Sequence, residues 1–261
     1  MRRKSKTNFF FLKILIAAAF TLLLIFLSLR LNLFNIQKIE VTGPNLDCAS
    51  QKTLLESLQI LGNNFFILDT KELTKSIKSK FICIKDVTLV KLFPNKVKLE
   101  VVPRLPQSKL ITLKNFEGSS SALLENVATP SAEQYSEAFL VDNEGVLFAK
   151  DSSHLDIPII FIDADLSLGK KLENQMVENS LKILDKLNLF GLNVKSSLVL
   201  DNFFVVYTFP KIIFRLDSAV DTQIASLQLI LRNAKIDSSQ VEFIDLRFDK
   251  PIIRIAPKKN G

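Results

Sequence analysis

A chain with one histidine has few ways to run acid–base chemistry near neutral pH. That residue, His154, lies in Asp151-Ser152-Ser153-His154-Leu155, a polar stretch that reads as a solvated loop. A Ser-His-Asp set would have to converge there, and no Gly-x-Ser-x-Gly elbow is present to present the serine. Seven glycines in 261 residues form no phosphate-cradling loop. Asp163-Ala164-Asp165 reads as a turn rather than a catalytic carboxylate pair. Cys48 and Cys83 lack two further ligands for a zinc site, because His154 is far along the chain. Asp245 and Arg247 stand at alternate positions of a strand pattern, so they face one way and read as an ion pair on a sheet face. The expectation is a protein that is not an enzyme, with no metal, no cofactor and no small-molecule substrate.

The elements around these residues begin with an apolar segment. Ile14 to Leu29 reads ILIAAAFTLLLIFLSL, and with residues 9–12 and Leu31 it reaches about 20 residues, the length that crosses a bilayer as a helix. Lys13 near its start can carry its ammonium to the headgroups. A cleaved signal would end in a small-x-small site, and Leu27-Ser28-Leu29-Arg30 is not one. The expectation is a cytoplasmic tail over 1–8 and a transmembrane helix over 9–31. Arg2, Arg3, Lys4 and Lys6 would hold the tail inside, giving a single-pass type II topology. The chain has 34 basic residues; six fall within residues 1–30, which hold no acid, and the other 28 nearly balance the 27 acids. A nucleic-acid binder needs a basic field on its folded part, so that class is set aside.

Residues 34–106 read as one small unit. Ile36 to Val41 alternates as a strand, and Gly43-Pro44-Asn45 breaks it. Leu54, Leu55, Leu58 and Leu61 repeat at helical spacing, and Gly62-Asn63-Asn64 stops that helix. Asp69 or Thr70 can cap a second helix to about Lys80. Val87 to Val90 and Val97 to Val101 are strands on either side of the turn Phe93-Pro94-Asn95. The order is β-α-α-β-β. Both cysteines fall in this unit. Outside the cytoplasm they could bridge, and otherwise they are two buried thiols.

Residues 107–257 read as a second unit, with a Ser-rich insertion over 114–137. A hairpin turns at Asp142-Asn143-Glu144-Gly145. Ile157 to Phe161 is a short strand. Glu173 to Phe190 is a helix with Gly191 as its stop. Leu198 to Leu200, Phe203 to Phe209 and Ile212 to Leu216 are strands, Thr222 to Ala234 is a helix, and Val241 to Phe248 and Ile252 to Ile255 are strands.

Together these patterns resemble a known family. Ile39-Glu40-Val41-x-Gly43, Gly62-Asn63-Asn64-Phe65-Phe66-x-Leu68-Asp69 and Phe93-Pro94-Asn95 resemble the POTRA domain of the bacterial cell-division family FtsQ/DivIB. Phe139-Leu140-Val141-Asp142-x-x-Gly145 and Ile244-Asp245-Leu246-Arg247-Phe248 before Pro251-Ile252-Ile253-Arg254 resemble its C-terminal β domain. The resemblance implies an α+β fold: an N-terminal transmembrane helix, a POTRA-like β-α-α-β-β domain, then a mainly antiparallel β domain with two helices. It implies a divisome scaffold at the septum that gathers other single-pass division proteins of the FtsB/DivIC and FtsL types at the cell membrane. An anchored cell-envelope hydrolase or peptidoglycan-processing factor is the alternative. Phe248, Ile252, Ile253, Arg254 and Ile255 are the expected partner-binding residues, because the last strand is an edge candidate and the resemblance places the partner at the end of the β domain.

Overall fold

The computed structural model describes residues 5–30, 33–44, 48–113, 137–151, 155–217, 219–232 and 241–255. His154, most of the tail 1–8 and residues 114–136 of the insertion lie outside them. The chain divides into two units, Met1–Pro103 and Arg104–Gly261.

The first unit opens with α1 (Ser5–Arg30). Consecutive large side chains (Phe11, Leu12, Ile14, Leu15, Ile16) are exposed, so α1 is apolar all round its circumference rather than on one stripe. The expected transmembrane helix over 9–31 is nevertheless overturned: among the described residues no helix is long and apolar enough to cross a membrane. Lys13 and Arg30 bound the uncharged run of α1 to Ile14–Leu29, about 24 Å at 1.5 Å per residue, short of a hydrocarbon core of about 30 Å.

After α1 come β1 (Lys38–Thr42), α2 (Gln51–Leu58), α3 (Thr70–Lys80), β2 (Ile84–Leu92) and β3 (Lys96–Pro103). The strands form a sheet of order β1-β3-β2, with β1 parallel and β2 antiparallel to β3. Alternation fixes which face is inside: Val97, Leu99 and Val101 of β3 are buried, as are Leu54 and Leu58 of α2 and Ile77 of α3. Each helix starts at a side-chain cap. The Ser50 hydroxyl accepts from the Thr53 N–H at 3.1 Å, and the Asp69 carboxylate accepts from Lys71 and Glu72 N–H at 2.9 and 3.1 Å. α2 stops at Leu58, earlier than the leucine spacing predicts, because Gln59 turns left-handed at φ 45°. Gly43 ends β1 at φ 148°, where a Cβ would stand 2.6 Å from the Val101 carbonyl oxygen. A disulfide joins Cys48 and Cys83, Cα to Cα 6.3 Å, tying the loop after β1 to the entry of β2.

The second unit holds β4 (Ser108–Thr112), β5 (Ala138–Val141), β6 (Leu147–Lys150), β7 (Ile159–Ile162), α4 (Gln175–Leu189), β8 (Ser196–Leu200), β9 (Phe203–Tyr207), β10 (Lys211–Arg215), α5 (Val220–Arg232), β11 (Val241–Asp245) and β12 (Ile252–Ile255). The strands make one sheet in the order β12-β11-β10-β9-β8-β7-β4-β5-β6. Among the described pairings β4–β7, β7–β8 and β10–β11 are parallel and the other five antiparallel. Parallel partners need a crossover, and α5 supplies the one between β10 and β11. Leu181, Leu184 and Leu187 of α4 and Ile224 and Leu227 of α5 are buried in one core with Phe204, Phe214 and Ile244 of the sheet. A smaller core on other strand positions holds Ile111, Phe161, Leu198, Val205 and Ile213.

Two buried ion pairs stiffen the β4–β6 end. Asp142 pairs with Arg104 while its carboxylate also accepts from the N–H groups of Glu144 and Val146 at 3.0 and 2.9 Å, which builds the β5–β6 turn. Lys109 of β4 pairs with Asp151. Strand β4 is not read from the sequence, because a lysine interrupts its apolar run; the Asp151 partner is what lets that lysine be buried.

Candidate functional site

The β10–β11–β12 end of the large sheet gathers the residues singled out at the C-terminal end of the sequence. β11 runs parallel to β10 with Ile212 beside Ile244, and both are fully buried. β12 returns antiparallel, with Ile244 beside Ile253 and Asp245 beside Ile252. A register shift between Val241 and Phe243 marks a bulge in β11. β12 is the last strand, and no described residue pairs with its outer side. Ile253 points in and packs against the main core, while Ile252 and Ile255 are exposed.

β11 ends at Asp245, three residues earlier than the sequence pattern suggests. The cause is the aspartate itself. Its carboxylate, 3 % exposed, accepts from the backbone N–H of Arg247 at 3.0 Å and so folds the chain into the β11–β12 turn. The Arg247 guanidinium then doubles back on the same carboxylate, Nε at 2.9 Å from Oδ1 and Nη2 at 2.6 Å from Oδ2. A planar fork on both carboxylate oxygens is the strong geometry for this pair. Asp245 and Arg247 therefore meet through a turn rather than as alternate residues of one strand face.

The same guanidinium lies over two rings, Phe203 at 5.1 Å and Phe248 at 5.5 Å. Phe248 rests on this Asp245–Arg247 platform and is 54 % exposed. Phe203 was not singled out by sequence; the only signal for it is its half-exposed place at the start of β9. Arg254 of β12 lies over Phe243 at 5.8 Å, and Lys211 of β10, beside Phe243, lies over Tyr207 at 5.6 Å. Burial pushes the Tyr207 phenol up to about 12 and lowers the Lys211 ammonium. The edge thus presents an unpaired backbone, a cation-backed aromatic ring and a second aromatic row under Arg254. Such an edge has the groups that an extended segment of another protein could pair with.

Among the described residues no group of three His, Cys, Asp or Glu could hold a metal ion. Asp163 and Asp165 are exposed on a bend after β7.

Residues 34–104 match the family model described as "POTRA domain, FtsQ-type". The match spans the β-α-α-β-β part of the first unit and bears out the resemblance to the FtsQ/DivIB family there. No curated protein matches the chain.

Proposed function

We propose that this chain, which carries an FtsQ-type POTRA domain, is a division-site protein that works by binding other proteins and not by catalysis. Its partners on this reading are single-pass division proteins of the FtsB/DivIC and FtsL types, which it recruits and links at the septum from the extracytoplasmic side of the cell membrane. The Cys48–Cys83 disulfide supports that side, because such bridges persist in oxidising compartments.

One observation carries the reading: the outer side of β12 is unpaired among the described residues, beside an exposed Phe248 held on the Asp245–Arg247 platform. A partner segment adds to β12 as a further strand, and its backbone satisfies the outward N–H and C=O groups. Phe248 is the aromatic anchor and Arg254 a rim contact. Phe248→Ala should cost about 2 kcal/mol of binding, roughly 30-fold in Kd, and Arg254→Ala less than about 1 kcal/mol. A pull-down of the FtsB/DivIC-type partner, with circular dichroism on the variants, tests it. A folded Phe248→Ala protein that binds at wild-type strength removes the docking site. A reporter enzyme active only outside the cytoplasm, fused after Gly261, tests the compartment: an inactive fusion on a stable protein overturns it.

A further inference from the structure

Three loops of the first unit converge on one end of its sheet. The chain entering from α1 pairs with the α2–α3 loop: the Phe65 N–H donates to the Phe34 carbonyl at 2.7 Å and the Ile36 N–H to the Asn63 carbonyl at 2.9 Å. The Gln37 N–H donates to the Asn95 carbonyl in the β2–β3 turn at 2.9 Å. Each loop brings a phenylalanine. Phe34 lies 5.2 Å from Phe66 and 5.9 Å from Phe93, centroid to centroid, and Phe65 lies beneath both. Phe65 is buried, but Phe66 is 63 % and Phe93 70 % exposed, and their neighbour Ile67 is 83 % exposed. A cluster of this size left in water at loop tips marks a contact surface.

We infer that this end of the small unit seats on the surface of an anionic lipid bilayer, with Phe66, Ile67 and Phe93 in the interface. The inference rests on the membrane-side location proposed above and adds a second contact to it. Two observations select lipid. The first is continuity: α1 ends at Arg30, four residues before Phe34, a span of at most about 14 Å. The exposed apolar side chains of α1 therefore lie within reach of this patch, and one apolar surface can take both without α1 crossing it. The second is charge. The register sets Lys38 beside Lys96, and Lys96 beside Leu92, at this end of the sheet, and Lys91 lies over the Phe65 ring at 5.7 Å. Of the acids here, Glu40 is paired to Lys38 at 2.9 Å and Asp69 is occupied by the N-terminus of α3. Aromatic side chains with lysines around them suit the headgroup layer, where the ring is buried and the ammonium meets lipid phosphate.

The chain contains no tryptophan. Phe93→Trp and Phe66→Trp therefore each give the full-length protein a single emitter, with Leu229→Trp, an exposed position on α5, as the control. The variants are reconstituted with vesicles of phosphatidylglycerol and phosphatidylcholine and floated on a density gradient. With lipids brominated high on the acyl chain, the Phe93→Trp and Phe66→Trp proteins should shift to the blue and lose about half their emission, while Leu229→Trp keeps its own. Replacing phosphatidylglycerol by phosphatidylcholine should weaken the quenching. Protein that floats while both loop emitters stay water-like and unquenched overturns the patch alone. If those emitters move only when a protein partner is added, the surface is a protein-docking site and the inference falls. Protein that does not float at all overturns the membrane-side location as well.

Discussion

The two edges of the nine-stranded sheet are built from similar four-residue strands and meet opposite fates. β6 is closed by its own chain. The Gly169 N–H donates to the Leu147 carbonyl at 2.8 Å, the Leu147 N–H donates to Lys170 at 3.2 Å, and Val146 bridges Lys171. β12 has no such cover among the described residues, and two of its four side chains are exposed isoleucines. An unpaired edge is an aggregation hazard, and the edge left open among the described residues is the one to which the proposed partner strand would add. The chain also invests its strongest turn chemistry there, in the Asp245–Arg247 fork.

The contrast can be broken most severely at that fork. Asp245→Ala should cost about 3–5 kcal/mol, because it strands a largely buried guanidinium and removes the bond that ends β11. Chemical denaturation measures it. A loss near zero would mean that the turn is set by something else.

Next in size is the exchange contrast. Amides of β6 should exchange slowly in the free protein and those of β12 quickly, by about tenfold or more. Adding the partner should then slow β12 and leave β6 unchanged. Equal protection of both strands in the free protein would erase the distinction between the edges.

A smaller effect should come from the cover over β6. Gly169 sits at φ 79°, a conformation that strains any side chain-bearing residue, so Gly169→Ala should cost about 1 kcal/mol. It should also loosen β6 in the exchange experiment without touching partner binding.

The smallest lies in the sheet between the two edges. The hydrogen bond from Arg215, with a second from Asn202, holds the exposed Asp217 carboxyl at about 2, against an ordinary 3.8. A folded value below the unfolded one means that the carboxylate stabilises the fold fully above about pH 4. That share is lost as pH falls from 3.8 toward 2. Asp217→Asn should flatten this limb of the pH–stability curve, and because the pair is exposed, salt should weaken the effect.

Much of the small unit was legible because its signals are local. The Asp69 cap, the leucine spacing of α2 and the alternation in β3 each report on a few neighbouring residues. The membrane-spanning reading failed on α1, whose uncharged run is bounded by Lys13 and Arg30. In the second unit β4 stayed hidden, because a lysine at position 109 reads as polar until its Asp151 partner is known. The sequence named Asp245, Arg247 and Phe248 but not Phe203, which reaches them only through the sheet order.

By itself the sequence determined an α+β chain poor in catalytic groups, with caps, turns and a β-α-α-β-β pattern set by nearest-neighbour chemistry. Only the tertiary structure decided that β11 crosses back beside β10, that β12 lies outermost, and that the insulating segment 169–172 falls on β6. Strand order depends on which faces can bury each other across long sequence separations. No local propensity encodes that choice; the shared core of α4, α5 and the sheet does.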